Sequence, residues 1–417
     1  MTLTAETSTR RWGPAAAVAI TLVVTVIISL INACVPVLAP KIAADRGWNV
    51  ALITFYAPTV CVASLCINFL APFLLRRLGG MGLGLVCVAF SAAGLLFLLS
   101  DGFWLLTGAP LAIGLATGAL NPASAQILGP RTTPQNSGLI MSIKQTGVPL
   151  GGVLAGALVP LLVLYWGWQA AVVDLALASA AAGVLLLPAV GWLNADARSL
   201  PITKYRPLEP IRRLLALPGM LRLLVAALAF VSMQLSLRSF FTVYLVDQLG
   251  FDLTTAGLAF GASQAAGIVG QIGWAVMSDR LLPARAVMAI VGVLMSAGAA
   301  LTAVFTSNWP VAGIVVVAVV YGVSAAGFIP VVLGEVMRRS PPGQAGALMS
   351  GANLFILSGV LVGPLIFGAV LAVASYAAAF VALAAGTLAA SILVALPPGP
   401  SRPDVSQGDH SASRSGQ

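Results

Sequence analysis

Twelve apolar runs, each about as long as a membrane crossing, dominate this sequence and limit what it can fold into. A helix needs about 20 apolar residues to span the hydrocarbon core of a bilayer. Backbone polar groups in lipid need internal partners, so such runs form helices. The sequence therefore predicts an all-α protein of the lipid bilayer with twelve transmembrane helices. The runs lie at 13–38, 50–74, 81–99, 103–128, 137–163, 168–190, 221–246, 254–277, 285–306, 310–333, 344–373 and 376–397.

The charge of the chain supports a membrane protein and argues against a nucleic-acid partner. Only 8% of the residues are charged, against about 25% in soluble domains. The net charge is +9, but most of the 21 lysines and arginines fall on one side of the predicted membrane. The outer loops hold only Lys41 and Arg46. Since positive charge stays inside, we expect a multi-pass protein of a bacterial plasma membrane with both termini in the cytoplasm.

The residues that usually bind metals or perform catalysis are sparse. The four cysteines, Cys34, Cys61, Cys66 and Cys87, all lie in apolar runs, where cysteine behaves as a small apolar residue. The only histidine, His410, lies in a polar tail. No nucleophile–base set is visible. We therefore expect no metal, no cofactor and no enzymatic activity.

A basic, proline-containing loop divides the chain into two halves of six runs. We expect an N-terminal half at 1–190, a cytoplasmic linker at 191–220, a C-terminal half at 221–398 and a disordered cytoplasmic tail at 399–417. The tail is polar and rich in Ser and Gly, which cannot build a core. Within the linker, residues 211–217 are predicted to form a short amphipathic helix on the membrane surface.

The two halves look like repeats. An offset of 208 residues places Gly114 on Gly322, Gly138 on Gly346 and Gly151 on Gly359. A second offset, 203, aligns the segments 47–49 and 250–252. Two six-helix halves related by an axis along the membrane normal are a known transporter design.

The fifth run contains more glycine than an ordinary helix tolerates, because each internal glycine costs about 1 kcal/mol. Small residues let two membrane helices approach closely, which offsets that cost. We therefore predict a tight and mobile helix seam. Its glycines are Gly138, Gly147, Gly151, Gly152 and Gly156.

Two motifs make the chain resemble the major facilitator superfamily. The loop after helix 8, Ala275-Val-Met-Ser-Asp279-Arg280-Leu-Leu-Pro-Ala-Arg285, is close to Gly-x-x-x-Asp-Arg-x-Gly-Arg-Arg. The glycines of helix 5 follow Gly-x8-Gly-x3-Gly-Pro-x2-Gly-Gly, with Gly152 in place of Pro and Ala155 in place of Gly. The loop after helix 2 keeps Arg76 and Arg77 but lacks the acid.

The resemblance implies the major facilitator fold and secondary active transport of a small molecule by rocking of the two halves. It also implies coupling to a proton, an ion or a counter-substrate such as a counter-anion. In the family fold, helices 1, 2, 4, 5, 7, 8, 10 and 11 line the cavity. The mid-span Asn, Gln, Lys and Arg residues all fall in those helices: Asn32, Asn68, Asn121, Gln126, Lys144, Gln145, Gln234, Arg238, Gln264, Gln271 and Asn353.

Lys144 and Arg238 suggest the substrate. An ionisable group inside a membrane span is functional by default. No acid stands in an obvious pairing position, since Asp174 is the only carboxylate within the runs. The simplest account is a small carboxylate clamped by one cation from each half, although Lys144 could instead snorkel to the interface. The predicted substrate-binding residues are Lys144, Gln145, Arg238, Gln234, Asn32, Asn121, Tyr244 and Asn353.

A second set of charges lies at the predicted cytoplasmic ends of the helices. The acids Asp279 and Glu335 stand among many arginines, and we predict that they form ion pairs between helices that hold an inner gate closed. With the helix-5 glycines, the predicted gate residues are Asp279, Arg280, Arg285, Glu335 and Arg339. The arginines alone are equally explained as flanks that obey the positive-inside rule.

Two other functions remain open. The same fold could export apolar, drug-like compounds, with Lys144 snorkelling and Arg238 only hydrogen-bonded. A non-transporting membrane receptor or assembly factor is a third possibility, against which the retained glycine seam and gate motifs argue. An anion carrier should fail when either cation is neutralised, whereas an exporter of apolar compounds should tolerate both changes.

Overall fold

The computed structural model describes residues 13–46, 56–100, 103–194 and 208–397, and all regular structure in these ranges is helical. The predicted tail, residues 195–207 of the predicted linker and the aligned segment 47–49 lie outside the described residues. A 3-10 turn at Gly129–Arg131 and a π-helical turn at Tyr244–Gln248 supplement the α-helices. The helices are α1 Pro14–Arg46, α2 Tyr56–Phe97, α3 Phe103–Leu128, α4 Ser137–Gln145, α5 Gly147–Leu185, α6 Ala189–Leu193, α7 Glu209–Ala216, α8 Met220–Val243, α9 Leu253–Arg280, α10 Ala284–Ala303, α11 Val311–Arg339, α12 Ala345–Val373 and α13 Tyr376–Ala395.

These helices give the twelve crossings that the apolar runs predicted. Nine helical stretches in the described ranges are long and apolar enough to span a membrane. Two of them, α2 and the stretch formed by α4 and α5, supply two crossings each, because Gly79 (φ 72°) and Gly167 (φ 80°) reverse the chain in the middle. The 28-residue α9, which the glutamines make more polar, is the twelfth crossing.

The repeat in the sequence is a repeat in space. Gly114 of α3 packs against the backbone of Val60 in α2, and Gly322 of α11 packs against the backbone of Ser263 in α9. The glycines are related by the offset of 208, and the residues they contact are related by the offset of 203. An added Cβ would overlap the neighbouring backbone at both places. The two offsets therefore belong to the two partners of one repeated helix pair.

The two halves meet at one end of the bundle, which we call the basic end because Arg131, Arg280, Arg285, Arg338 and Arg339 lie there. Helix α4 of the first half contacts α9 and α11 of the second. Helix α12 of the second half contacts α2 and α3 of the first. The structure therefore describes a state in which the basic end is closed.

The linker helix differs from its prediction. It begins two residues earlier, and its apolar side covers protein. Leu214 is fully buried, and both Leu214 and Ile211 lie against Gly351 of α12. Arg213 donates to the side chain of Gln344 at 2.9 Å, next to the start of α12. The helix is thus docked on the second half.

Candidate functional site

Lys144 is buried in the bundle without a negative partner. Its side chain is fully inaccessible. Its Nζ donates to Oδ1 of Asn121 at 2.7 Å and to Oε1 of Gln145 at 3.1 Å. Both acceptors are neutral, and no carboxylate in the described ranges lies within 4.0 Å of this amine. The side chain lies against α3 rather than reaching toward the basic end. Burying a cation in this way costs free energy that a counter-charge would lower.

A chain of amides connects Lys144 to the other half. Asn121 of α3 donates through Nδ2 to Oδ1 of Asn353 in α12 at 3.1 Å. Asn353 in turn donates to Oδ1 of Asn68 in α2 at 3.3 Å and to the carbonyl of Gly118 at 3.1 Å. We call Asn68, Asn121, Lys144, Gln145 and Asn353 the Lys144 cluster. Because Asn353 belongs to the second half, movement of the halves must break or rearrange this cluster.

Arg238 lies on the open side of α8. The adjoining side of this helix, with Phe230, Leu237 and Phe241, is buried. Gln234, one turn before Arg238, donates to the carbonyl of Ala325 in α11 at 2.7 Å. The Arg238 side chain is exposed, and no carboxylate of the described chain pairs with it.

Lys144 and Arg238 lie at different depths, so the structure does not bring the predicted clamp together in this state. The two depths can be compared along helix α11, because Gly334 of this helix contacts Gly138 and its Ala325 accepts a hydrogen bond from Gln234. At a rise of about 1.5 Å per residue, Lys144 lies about 9 Å from the Gly138–Gly334 contact and Arg238 about 20 Å. The two cations are therefore separated by roughly 10 Å along the membrane normal.

Two predicted binding residues lie apart from the Lys144 cluster. Asn32 of α1 accepts a hydrogen bond from the hydroxyl of Tyr56 at 3.3 Å. Tyr244 is only 4% exposed and packs its ring against Tyr376 and Phe380, with centroids 5.5 and 5.3 Å away. Tyr244 thus points toward α13 rather than toward the side of α8 that carries Arg238.

Asp279 joins the two halves at the basic end. Its Oδ1 accepts from the backbone N–H of Gly138 at 3.1 Å, and its Oδ2 accepts from that of Leu139 at 2.7 Å. These are free donors in the first turn of α4, where a negative charge is favourable. Arg338 of α11 pairs with the same carboxylate at 3.4 Å. The ion pair predicted between helices is present for Asp279, and the same carboxylate also bridges the halves.

Glu335 differs from the prediction. Its ion pairs are with Arg338, at 3.3 Å, and with Arg339, both on its own helix. The spacing of three and four residues brings these side chains together on α11, so no second helix is needed. Arg339 also donates to the carbonyl of Pro218 at 2.7 Å. Arg280 and Arg285 are exposed, and neither has an ion pair within the described residues.

The glycines of the predicted seam contact two neighbours, helix α1 and the side chain of Asp279. A Cβ on Gly147 or Gly151 would meet Thr25 at 3.0 Å or the backbone of Leu30 at 2.6 Å, both in α1. A Cβ on Gly138 would meet Asp279 at 2.7 Å. Gly152 and Gly156 have nothing within 4 Å of that position. Three of the five glycines therefore make close contacts in this state.

Two further residues close the basic end, and one of them had no signal in the sequence. Gln126 of α3 accepts from the backbone N–H of Gly346 and donates to the carbonyl of Gly343, both at 3.3 Å. Gly334 of α11 lies against Gly138, and its carbonyl accepts from Ser137 at 3.2 Å. Gln126 belonged to the polar mid-span set, whereas Gly334 is one of many small residues in an apolar run.

We expect Asp279→Asn to reduce transport at least tenfold without reducing the amount of protein in the membrane. The amide keeps one acceptor but loses the negative charge that favours the start of α4 and pairs with Arg338. Transport in vesicles or cells, normalised to membrane protein, measures the effect. Asp247→Asn, which changes an exposed acid in the π-helical turn after α8, is the matched control. Normal transport by Asp279→Asn would contradict a role for this joint.

The fold and the site together define a class of protein. Twelve crossings in two repeated halves that meet around a buried polar cluster are the architecture of a membrane carrier. The chain belongs to the Major Facilitator Superfamily, whose sequence profile it matches over residues 21–286 and 224–415. It is thus a multi-pass membrane protein of a family of transporters, which are not enzymes.

Known proteins with similar sequences and structures agree with this family. An uncharacterized MFS-type transporter from two strains of Mycobacterium tuberculosis is 29% identical over 211 residues, which is 48% of this chain and 44% of the relative. The chain thus matches less than half the length of these curated relatives.

Three solved structures share the fold. A bacterial homologue of the iron transporter ferroportin in an outward-facing state has a TM-score of 0.70 at 17% identity, covering 91% of this chain and 97% of that one. The human organic anion transporter MFSD10 has a TM-score of 0.68 at 16% identity, covering 91% of this chain and 99% of that one. The Escherichia coli fucose:proton symporter has a TM-score of 0.68 at 13% identity, covering 92% of this chain and 98% of that one.

Proposed function

We propose that the protein is a secondary active transporter of a small organic anion, and that Arg238 and Lys144 bind the substrate carboxylate. The observation that carries the proposal is that two cations within membrane helices, one in each half, have no carboxylate partner among the described residues. A substrate that brings the negative charge would lower the cost of both. Coupling to a proton or a counter-anion would supply the energy.

The separation of the two cations gives them different roles. Arg238 is exposed and can hold a carboxylate with two parallel hydrogen bonds, so it makes the first contact. Lys144 is covered and acts as a point charge. An anion that reaches Lys144 would take over the hydrogen bonds that Asn121 and Gln145 now accept. Since Asn121 also bonds Asn353 of the second half, loading the site would loosen the contact between halves.

The orientation proposed from the charge distribution fits this sequence of events. With the basic end in the cytoplasm, the closed basic end leaves Arg238 on the outer side of the Lys144 cluster. The N-terminal half at 1–190 and the C-terminal half at 221–398 would then rock about the cluster. The human organic anion transporter, which has the same fold, supports this substrate class by analogy.

The first test is thermal stabilisation of the purified protein against carboxylic acids, neutral compounds and lipophilic cations. A ligand at 100 times its Kd stabilises the folded state by about 2.7 kcal/mol, which raises the melting temperature by several degrees. We expect a rise with at least one carboxylate that disappears in Arg238→Gln. Arg212→Gln, an exposed arginine on α7, should keep the rise.

The opposite pattern would replace the proposal. If only neutral or cationic apolar compounds stabilise the protein, and Arg238→Gln keeps that response, the site does not select anions. The protein would then be an exporter of apolar compounds, the alternative that the same fold allows.

A further inference from the structure

We infer that Tyr321 is a second donor in the Arg238 subsite, where its hydroxyl binds the same carboxylate that Arg238 binds. This inference rests on the proposed function. It adds a residue that no pattern in the sequence indicated, and it assigns the two donors to neighbouring helices of one half, α8 and α11.

The register of α8 and α11 places Tyr321 level with Arg238. These helices run in opposite directions and are joined by the hydrogen bond from Gln234 to Ala325. Arg238 lies one turn after Gln234, and Tyr321 lies one turn before Ala325. In antiparallel helices both steps lead toward the same end of the bundle. A step of four residues also keeps each side chain near the helix face that this hydrogen bond joins.

The hydroxyl of Tyr321 is buried and unused. The residue is 3% exposed, and its Oη has no hydrogen-bond partner among the described residues. An orphaned buried hydroxyl costs about 1–3 kcal/mol. The side chain packs beside Gly298 of α10, where an added Cβ would lie 3.2 and 3.3 Å from Cβ and Cδ2 of Tyr321. Phenylalanine would fill the same space without this cost.

Packing alone does not require a tyrosine at this position. The offset of 208 relates Tyr321 to Ile113, which is fully buried in the other half. An aliphatic side chain thus serves the equivalent position of the repeat. The offset of 203, which holds for the segments before α3, relates Arg238 to the apolar Val35. Both polar groups are therefore departures from the repeat at one level of one half, which is what an added binding subsite requires.

The chemistry of the pair selects an oxyanion. A guanidinium and a phenol hydroxyl are both donors, and no carboxylate of the described chain lies with them. One carboxylate can accept two hydrogen bonds from the guanidinium and keep a lone pair for the hydroxyl. An amide or an ester of the same acid has no charge and fewer acceptor positions, so this subsite would discriminate against it.

The test compares Tyr321→Phe with the wild type, using the carboxylate that gives the largest thermal shift in the wild type. We expect its affinity to fall about 10- to 100-fold, the loss typical of a hydrogen bond to a charged group. The preference for the acid over its methyl ester should fall by the same factor. The melting temperature of the empty protein should stay the same or rise. Tyr376→Phe, in the aromatic cluster beside α13, should change neither affinity nor preference.

The outcomes separate this inference from the proposed function. If Arg238→Gln abolishes carboxylate binding and Tyr321→Phe binds as tightly as the wild type, Tyr321 is not in the subsite. If Tyr321→Phe melts at a lower temperature and keeps its preference for the acid, the tyrosine is only structural. If no carboxylate binds to the wild type, the proposed function and this inference both fail.

Discussion

Replacing Lys144 with glutamine is expected to abolish carboxylate transport and to leave the empty protein at least as stable as the wild type. Transport needs the charge, since loss of a charge-assisted hydrogen bond weakens binding about 10- to 100-fold. The charge does not stabilise the empty protein, because Lys144 is buried with only the neutral side chains of Asn121 and Gln145 as hydrogen-bond partners. Glutamine can still donate to Asn121 while the cost of a buried cation disappears. Uptake assays and thermal unfolding of the same preparations measure the two effects.

Opposite changes in function and stability distinguish a substrate-binding lysine from a structural one. A structural lysine would lower the melting temperature when it is neutralised. Lys41→Gln is the control, because Lys41 is 55% exposed and its ion pair with Asp45 lies at the surface. Unchanged uptake by Lys144→Gln would remove Lys144 from the site and favour a substrate without a negative charge.

Replacing Gly334 with valine is expected to prevent the basic end from closing and to stop transport. A Cβ at position 334 would lie 2.6 Å from Cα of Gly138, so the halves must move apart. Backbone atoms form this contact, and a change of rotamer cannot relieve it. Transport falls because a carrier that cannot close one end cannot complete its cycle.

Labelling of a buried cysteine tests the closed state directly. Ser142 is buried and bonds the backbone of Gln271 in the other half at 3.0 Å. In a background without the four native cysteines, Ser142→Cys should be protected from thiol reagents. Adding Gly334→Val should expose it. Gly152→Val, a glycine of the same seam with open space around it, should leave the protection intact. Protection in the Gly334→Val protein would show that the basic end still closes.

The fold was predictable because a lipid bilayer allows few backbone structures to cross it. Lipid forces each apolar run into a helix, and positive charge marks alternate ends. The spacing of Gly114 and Gly322 then revealed two related halves. Asp279 was predicted to form an ion pair that holds the gate closed because it is one of two acids among many arginines. These inferences depend on composition and spacing, which do not require knowledge of helix packing.

The parts that failed depend on rotation and depth, which spacing does not give. Tyr244 was predicted to bind the substrate with Arg238, which lies two steps of three residues before it, but each such step falls about 60° short of a full turn. Two steps therefore bring Tyr244 to the buried side of α8, where its ring packs against Phe380. Glu335 was predicted to pair with another helix, although Arg338 and Arg339 stand three and four residues away on its own helix. The spacing alone did not show which of these ion pairs forms. The depth of Arg238 in the membrane could be determined only from the hydrogen bond between Gln234 and Ala325.

The basic end is closed by two unlike joints, although the halves are repeats. At the start of α4 the partner is the carboxylate of Asp279, and at the start of α12 it is the neutral amide of Gln126. The contact of Asp279 depends on charge, and that of Gln126 does not. Replacing Asp279 with a neutral residue would thus weaken one side of the closure and leave the other unchanged. The halves would then separate first at α4, with α12 and α3 as the hinge side.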